Sequence, residues 1–161
     1  MKKNVYVGIT LDILHPGIIN ILKEGKALGN LTVGLLTNEA INGHRSLPVL
    51  SYEDRKTILK STNLFDEIVP QNEWDYSLNV LKIKPDYVIH GNKWSFHYGD
   101  KMKANLLNAL STYGGELKEI PYTNGYENLS FSSNTESTSY NRILTLRNKL
   151  KTNGYLRILE A

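Results

Sequence analysis

The sequence predicts a doubly wound α/β domain, with a parallel sheet of about five strands and helices on both faces. Short runs of β-branched and aliphatic residues alternate with amphipathic stretches of helical length along the first 120 residues. Strands separated by helices of this length form right-handed βαβ units, whose strands are parallel. A length of 161 residues is typical of one domain and allows a buried core without disulfide bonds or a structural metal.

Each predicted element has a local signal. The predicted strands cover residues 5–9, 31–36, 65–69, 86–90 and 116–120, and the predicted helices cover residues 17–28, 52–61, 73–81 and 101–113. Pro16 suits the start of the first helix, because the first helical position needs no N–H donor. Ser51 is a favourable N-cap for the second helix, and the pair Gly114-Gly115 ends the fourth.

The composition changes after residue 121. Ser, Thr or Asn occupies twelve of the nineteen positions from 123 to 141, which predicts a polar loop. A basic helix is predicted at 143–150 and a strand at 155–159. We therefore divide the chain into a domain at residues 1–150, which includes the loop 123–141, and a C-terminal segment at residues 151–161.

Composition excludes several classes of function. The chain has 19 basic and 16 acidic residues, and a net charge of +3 is too small to indicate a nucleic-acid or membrane partner. No cysteine is present, which excludes a thiol nucleophile and a thiolate metal site. Asp12, His15 and Pro16 interrupt the apolar N-terminus, so we expect no signal peptide. No stretch reaches the roughly 20 apolar residues of a membrane span, and a cytoplasmic location is the expectation.

The candidate site is the junction of the first strand and the first helix, from Gly8 to Gly17. In a doubly wound fold this junction lies at the carboxyl ends of the strands, where ligands bind. Gly17 allows close approach of the backbone, and exposed amides at a helix start favour an anion. His15 could donate a hydrogen bond to a phosphate or carry positive charge beside it. The spacing leaves a simple helix-capping role for His15 equally open.

The run Asp12-Ile13-Leu14-His15-Pro16-Gly17 resembles the H-x-G-H signature of the cytidylyltransferase branch of the nucleotidylyltransferases. The resemblance continues, in order, through about the first three quarters of the chain. It includes Gly25-Lys26-Ala27-Leu28-Gly29, Tyr52-Glu53-Asp54-Arg55-Lys56, Asp66-Glu67-Ile68-Val69-Pro70 and Lys84-Pro85-Asp86-Tyr87-Val88-Ile89-His90-Gly91. It implies a Rossmann-like nucleotidylyltransferase fold.

Within this branch the chain is most similar to the domains fused ahead of phosphoenolpyruvate mutase in phosphonate biosynthesis. Leu156-Arg157-Ile158-Leu159-Glu160-Ala161 resembles the segment that opens the mutase domain. The resemblance implies transfer of CMP from CTP to a small phosphonate or phosphate acceptor, with release of pyrophosphate. It also implies a Mg²⁺ ion on the triphosphate, a homodimer and a mutase domain beyond Ala161.

The resemblance implies a role for individual residues. His15 and Arg45 would act on the phosphates during catalysis, and Asp12 would lie near the metal and the acceptor. The residues implied in binding the nucleotide or its phosphates are Gly8, Thr10, Gly17, His90, Gly91 and Lys93. For Arg55, on a helix motif of the family, both a ligand contact and a structural ion pair are open.

Three parts of the family's nucleotide site are altered in this chain. The second signature histidine is Ile18, which can neither donate a hydrogen bond nor carry charge. Asn92-Lys93-Trp94 stands where the family has Asp-Asp-Trp. Thr123-Asn124-Gly125-Tyr126 begins like the family's late Gly-Ile-Ser-Ser-Thr motif and then diverges.

Two interpretations of these changes follow. In one, the chain is a working transferase in which His44, His90 or His97 supplies the missing donor. In the other, it is a catalytically inactive domain that binds nucleotide or serves as an assembly module for a mutase. Trp74 and Trp94 could stack on a base or a cationic acceptor, or simply pack.

Overall fold

The computed structural model describes residues 2–11, 13–44, 47–92, 94, 99–121 and 123. The strands are β1 (Lys3–Ile9), β2 (Gly29–Leu36), β3 (Glu67–Gln71), β4 (Tyr87–Gly91) and β5 (Glu116–Ile120). The helices are α1 (Pro16–Leu28), α2 (Asn38–Ile41), α3 (Tyr52–Ser61), α4 (Ser77–Ile83) and α5 (Gly99–Ser111). The predicted helix 143–150, the strand 155–159 and the boundary after residue 150 lie outside the described residues.

The five strands form one parallel sheet in the order β3-β2-β1-β4-β5, which confirms the predicted fold class. The chain first builds outward from β1 through β2 to β3, and then crosses back to place β4 on the other side of β1. The carboxyl ends of β1 and β4 therefore flank the point where the strand order reverses. Ligands of open α/β sheets bind at this point.

Hydrophobic cores lie on both faces of the sheet, because successive side chains of a strand point to opposite faces. Val5 and Val7 of β1 pack in one core with Leu22 of α1 and Leu59 of α3. Tyr6 belongs to the opposite core, which contains apolar residues of α2, α4 and α5: Ala40, Ile41, Val80, Leu106, Ala109 and Leu110. None of the described helices combines the length and apolar character needed to cross a membrane.

Local sequence signals set several element ends correctly. Pro16 is the first residue of α1, and the bounds of α3 and β5 are those predicted. The Ser51 hydroxyl accepts a hydrogen bond from the Asp54 amide at 3.2 Å, as expected of an N-cap. The short helix α2 was not predicted; Thr37 caps it by accepting a hydrogen bond from the Ala40 amide at 3.2 Å.

The prediction of a strand at 65–69 was wrong by two residues, since β3 spans Glu67–Gln71. The Asp66 carboxylate accepts a hydrogen bond from the Leu31 amide at 2.7 Å and pairs with Lys26. These contacts engage the side chain of residue 66 just before the first residue of β3. Pro70 lies inside the strand and pairs with Leu35. A proline is tolerated there because β3 is an edge strand.

The prediction of a helix at 73–81 was also wrong, because α4 spans Ser77–Ile83. The buried Gln71 side chain donates hydrogen bonds to the carbonyls of Glu73 and Asp75, at 2.7 and 3.0 Å, and so holds residues 73–75 outside the helix. The Asp75 carboxylate then accepts the Ser77 amide at 2.9 Å, at the start of α4. The fourth predicted helix, 101–113, is displaced too, since α5 spans Gly99–Ser111.

Candidate active site

A cavity of about 330 Å³ lies at the carboxyl ends of β1, β4 and β5, beside the start of α1. Six of the predicted site residues line it: Gly8, Thr10, His15, Gly17, His90 and Gly91. The strand-order reversal thus brings together residues that are more than 70 positions apart in the sequence. Asp12, Arg45 and Lys93, also predicted, lie outside the described residues.

His15 is the N-cap of α1 and lines the cavity at the same time. Its Nδ1 accepts a hydrogen bond from the Gly17 amide at 3.1 Å. Because an accepting nitrogen carries no proton, the ring proton of neutral His15 is on Nε2. Burial lowers the pKa of His15, which favours this neutral form. The structure thus confirms the capping role of His15, and the role of its Nε2–H toward a phosphate stays a prediction.

Gly17 is needed for this arrangement of His15. A Cβ at position 17 would lie 2.8 Å from Cε1 of the His15 ring, which is closer than side-chain atoms approach. The imidazole can fold over the helix start only because position 17 has no side chain. Gly17 thus acts on the site through the position of His15.

The first amides of α1 are engaged within the protein. Pro16 has no N–H, the Gly17 amide donates to His15 Nδ1, and the Ile18 amide donates to the His15 carbonyl at 2.9 Å. The attraction of an anion to this helix start stays a prediction. The imidazole of His15 lines the cavity beside these amides.

Tyr76 packs against the end of β1. The Tyr76 hydroxyl donates to the Gly8 carbonyl at 3.2 Å, and a Cβ at Gly8 would lie 2.5 Å from the Tyr76 ring. Leu11, in the loop that follows β1, has a φ of +54° although it is not glycine, and its side chain is buried in the core. Such a conformation persists only where the surrounding packing enforces it.

Arg55 is fully buried and ties the site loop to the end of β2. Its guanidinium donates to the Thr10 carbonyl, to the Leu36 carbonyl at 2.9 Å and to Asn38 Oδ1 at 2.7 Å. The sequence left both a ligand contact and a structural role open for Arg55. The structure favours the structural role, because carbonyl and amide oxygens of the protein are among the partners of its guanidinium.

We expect Arg55→Met to lower the free energy of unfolding by about 2–5 kcal/mol, because it leaves buried carbonyl oxygens without donors. Lys56→Met is the matched control: it removes the same charge from α3, and Lys56 pairs only loosely with Glu53 at 3.8 Å. The control should change stability by less than about 0.5 kcal/mol. Urea unfolding of both variants measures the difference, and equal losses would contradict the structural role of Arg55.

His90 lies at the end of β4, on the opposite wall of the cavity. Its Nδ1 lies 2.6 Å from the Gly91 carbonyl oxygen, which can only accept, so Nδ1 carries the proton. The ring stacks on Trp94, with centroids 3.7 Å apart and planes at 11°. Neutral His90 therefore has its lone pair on Nε2, and it cannot serve there as the missing donor to a phosphate.

Two further histidines, His44 and His97, were candidates for the missing donor. His44 stacks on Trp74 at a centroid distance of 5.0 Å, and it is not among the described residues that line the cavity. His97 lies outside the described residues. Ile18, which the resemblance places at the second signature histidine, lines the cavity. Asn20 also lines it, and its amide donates to the Thr123 hydroxyl at 3.0 Å.

Sequence reasoning missed a buried polar network beneath the cavity. The Tyr6 hydroxyl donates to Gln71 Oε1, and the Asn79 amide donates to both, at 3.0 Å to Tyr6 and 2.9 Å to Gln71. Gln71 also holds the segment that carries Trp74 and Tyr76 into the cavity. Buried Gln71, only 1% exposed, ends β3 directly after the apolar residues Ile68, Val69 and Pro70; a glutamine at that position is the signal that was available.

The described lining of the cavity holds no charged side chain. In the described part of the chain, no cluster of three His, Asp or Glu side chains could hold a metal ion. Mg²⁺ commonly binds through one or two carboxylates together with substrate phosphates and water. The described lining supplies no carboxylate, and the described residues form no metal cage of their own.

Comparison with known proteins agrees with this architecture. The chain is 35% identical over 91 residues to an FAD synthase of Ferroglobus placidus, which covers 56% of this chain and 59% of that protein. It is 34% identical over 96 residues to a glycerol-3-phosphate cytidylyltransferase of Bacillus spizizenii, covering 58% and 74%. The chain thus spans about three fifths of the length of the FAD synthases it matches.

A solved structure of a lipopolysaccharide core biosynthesis protein from Thermoplasma volcanium superposes with a TM-score of 0.60 at 25% identity, over 74% of this chain and 94% of that one. A pantothenate synthetase from Thermus thermophilus shares the fold at 14% identity, with a TM-score of 0.53 over 96% of this chain and 72% of that one. The sequence profile of the Cytidylyltransferase-like family matches residues 6–132. The chain belongs to the Cytidylyltransferase-like family.

Proposed function

We propose that this protein transfers CMP from CTP to a small phosphonate or phosphate acceptor and releases pyrophosphate. The observation that carries the proposal is the position of His15, which caps α1 and lines a cavity at the strand-order reversal. A fixed neutral donor is suited to the oxygen atoms of a phosphate. The names of the relatives, which include cytidylyltransferases, support the same reaction class.

In this reaction an anionic oxygen of the acceptor forms a bond to the α-phosphorus. The bond from the α-phosphorus to its bridging oxygen breaks, and that electron pair leaves with pyrophosphate. The acceptor needs no general base, because its oxygen is already ionised, and the protein forms no covalent bond. Its residues have to position the two phosphate groups and stabilise the charge that moves between them.

We assign His15 to the α-phosphate or the departing pyrophosphate, and Gly8 and Thr10 to the phosphate-binding turn. Arg45 and Lys93 are proposed as cations for the phosphates, and Asp12 as a contact of the metal or the acceptor; their support is the family resemblance. A bound Mg²⁺ would neutralise triphosphate charge, with Asp12 as its proposed protein contact. The described lining contributes no charged side chain of its own to the phosphates.

The proposal extends to the acceptor and the partners. A phosphonate acceptor, a phosphoenolpyruvate mutase partner and a homodimer are supported by the resemblance of Leu156-Arg157-Ile158-Leu159-Glu160-Ala161 and of the preceding motifs to the fused phosphonate enzymes. Trp74 lines the cavity and offers an aromatic face toward a cationic acceptor such as an aminoalkyl phosphonate.

A second candidate function is nucleotide binding without turnover, in which the domain serves an attached or associated mutase. Ile18 is the observation that favours it, because an aliphatic side chain lines the cavity where the family has a second histidine. Loss of one positioned donor typically lowers a rate by ~10²–10³-fold. This candidate shares the fold and the cavity and differs only in turnover.

Calorimetric titration of CTP, with and without Mg²⁺, tests the proposal, with ATP as the comparison because relatives include FAD synthases. We expect micromolar binding of CTP that is stronger with Mg²⁺. Pyrophosphate release is then measured with 2-aminoethylphosphonate, 2-hydroxyethylphosphonate and glycerol 3-phosphate. Release with any of them supports the transferase; binding without release supports the inactive domain. The absence of binding of either nucleotide would overturn both.

A further inference from the structure

The side chain of Tyr6 links two strands of the sheet that are not neighbours. Its hydroxyl donates a hydrogen bond from β1 to Oε1 of Gln71 in β3, and β2 lies between these two strands. Gly34 of β2 allows this path, because a Cβ at position 34 would lie only 1.8 Å from the Tyr6 hydroxyl oxygen. Burial raises the pKa of Tyr6, although the Asn79 hydrogen bond opposes the shift, so the hydroxyl is protonated at neutral pH and can donate.

Two backbone carbonyls set the orientation of the Gln71 amide. Nε2 of Gln71 donates to the carbonyls of Glu73 and Asp75 at 2.7 and 3.0 Å, and a carbonyl oxygen can only accept. Oε1 therefore points the other way, toward the Tyr6 hydroxyl and the Asn79 amide. Turning the amide over would place Oε1 against two carbonyl oxygens in the interior, where Gln71 is only 1% exposed. The orientation of this side chain is thus fixed from both ends.

Gln71 reaches the cavity through Tyr76, which directly follows the segment 73–75 that the amide holds. Tyr76 lines the cavity, and its hydroxyl donates to the Gly8 carbonyl at 3.2 Å. The two residues fit closely, since a Cβ at Gly8 would lie 2.5 Å from the Tyr76 ring. A shift of the segment 73–75 would therefore move the Tyr76 hydroxyl relative to Gly8.

We propose that Gln71 is a positioning residue of the site, which places Tyr76 against Gly8, and that the Tyr6 hydroxyl holds the Gln71 amide in the orientation required. This inference rests on the proposed function, which assigns Gly8 to the phosphate-binding turn. Neither Tyr6 nor Gln71 is among the described residues that line the cavity. Their effect on a bound ligand therefore passes through the segment that carries Tyr76.

The first test follows Trp74 without any ligand. Trp74 and Trp94 are the two tryptophans of the chain, so in a Trp94→Phe background the emission comes from the segment that Gln71 holds. Trp74 is partly buried against the core. Gln71→Met keeps the length of the side chain and removes both donors, so we expect it to raise the acrylamide quenching constant of Trp74. Tyr6→Phe should raise it in the same direction.

Tyr113→Phe is the matched control for Tyr6→Phe. Tyr113 packs against the same core as Tyr6, and its buried hydroxyl has no hydrogen-bond partner among the residues that the structure describes. It is also not among the described residues lining the cavity. Removing this hydroxyl should leave both the quenching of Trp74 and the affinity for CTP at the wild-type value. Thermal melts show which variants are folded.

The second test is a double-mutant cycle on the dissociation constant of CTP with Mg²⁺, measured by calorimetry. We expect Gln71→Met to weaken CTP binding by about 10-fold, and Tyr76→Phe, which removes only the hydroxyl, to weaken it by a similar factor. Because Gln71 acts through Tyr76, adding Gln71→Met to Tyr76→Phe should change the affinity by less than ~3-fold. A general loss of stability would leave the two effects additive.

The outcomes separate this inference from the proposed function. Raised quenching in Gln71→Met and Tyr6→Phe, together with non-additive losses of affinity, supports the inference. Wild-type quenching in both variants, or additive losses of affinity, overturns it and leaves the proposed function standing. Failure of the wild-type protein to bind CTP overturns the proposed function, and with it the role of Gln71 in the site. If Gln71→Met does not fold, Tyr6→Phe takes its place in the cycle and decides the outcome.

Discussion

Replacing His15 with alanine is expected to lower the rate of pyrophosphate release by about 10²–10³-fold, because the site loses a positioned donor to the reacting phosphates. The same change removes the N-cap contact to the Gly17 amide, at a cost of about 1 kcal/mol in unfolding free energy. The kcat and KM for CTP, measured with the best acceptor, show whether the loss falls on turnover. A loss confined to stability would contradict the phosphate role.

His15→Ser separates the two roles of His15. Serine is a favourable N-cap, so this variant keeps the start of α1 capped, but its short hydroxyl cannot replace the imidazole Nε2 in the cavity. We expect wild-type thermal stability together with the same loss of turnover as in His15→Ala. Wild-type turnover in His15→Ser would show that His15 is only a helix cap.

Replacing Ile18 with histidine is expected to raise the rate of pyrophosphate release by about 10²–10³-fold. Ile18 lies in the first turn of α1 and lines the same cavity as His15, the N-cap of this helix. An imidazole at position 18 would therefore enter that cavity and supply a second donor. Single-turnover and steady-state release of pyrophosphate measure the gain.

Ile19→His is the matched control for this gain. Ile19 is the next residue of α1, turned about 100° around the helix axis, and it is not among the described residues lining the cavity. It should leave the rate unchanged. An equal rate in wild type and Ile18→His would mean that the aliphatic side chain at position 18 does not limit turnover, which would remove the main argument for an inactive domain.

Much of the framework follows from local sequence signals. The bounds of α3 and β5 were predicted correctly. Ser51 caps α3 and the pair Gly114-Gly115 precedes β5, and both signals depend only on neighbouring residues. The start of α4 was not predicted correctly. Gln71 holds residue 73 outside this helix, and Gln71 is itself hydrogen-bonded to Tyr6, 65 residues earlier in the sequence. A hydrogen bond between residues so far apart in the sequence cannot be predicted from a local sequence pattern.

The candidate site, like the fold, was predictable from the sequence only in part. The sequence indicated the junction from Gly8 to Gly17, and the structure confirms that its described residues Gly8, Thr10, His15 and Gly17 line the cavity. It could not indicate the structural role of Arg55, because the Thr10 and Leu36 carbonyls that bind it come together only in the folded sheet.

The sequence by itself determined the α/β class and the strand–helix junction that lines the cavity, since these depend on residue type and spacing. The family resemblance alone marked Ile18 as the position of a second histidine. Only the tertiary structure decided what each remaining histidine can do. His15 and His90 have the same side chain, yet one accepts at Nδ1 from a backbone amide and the other donates from Nδ1 to a backbone carbonyl. Those backbone partners fix the ring proton, and with it the polarity that each histidine presents to the cavity.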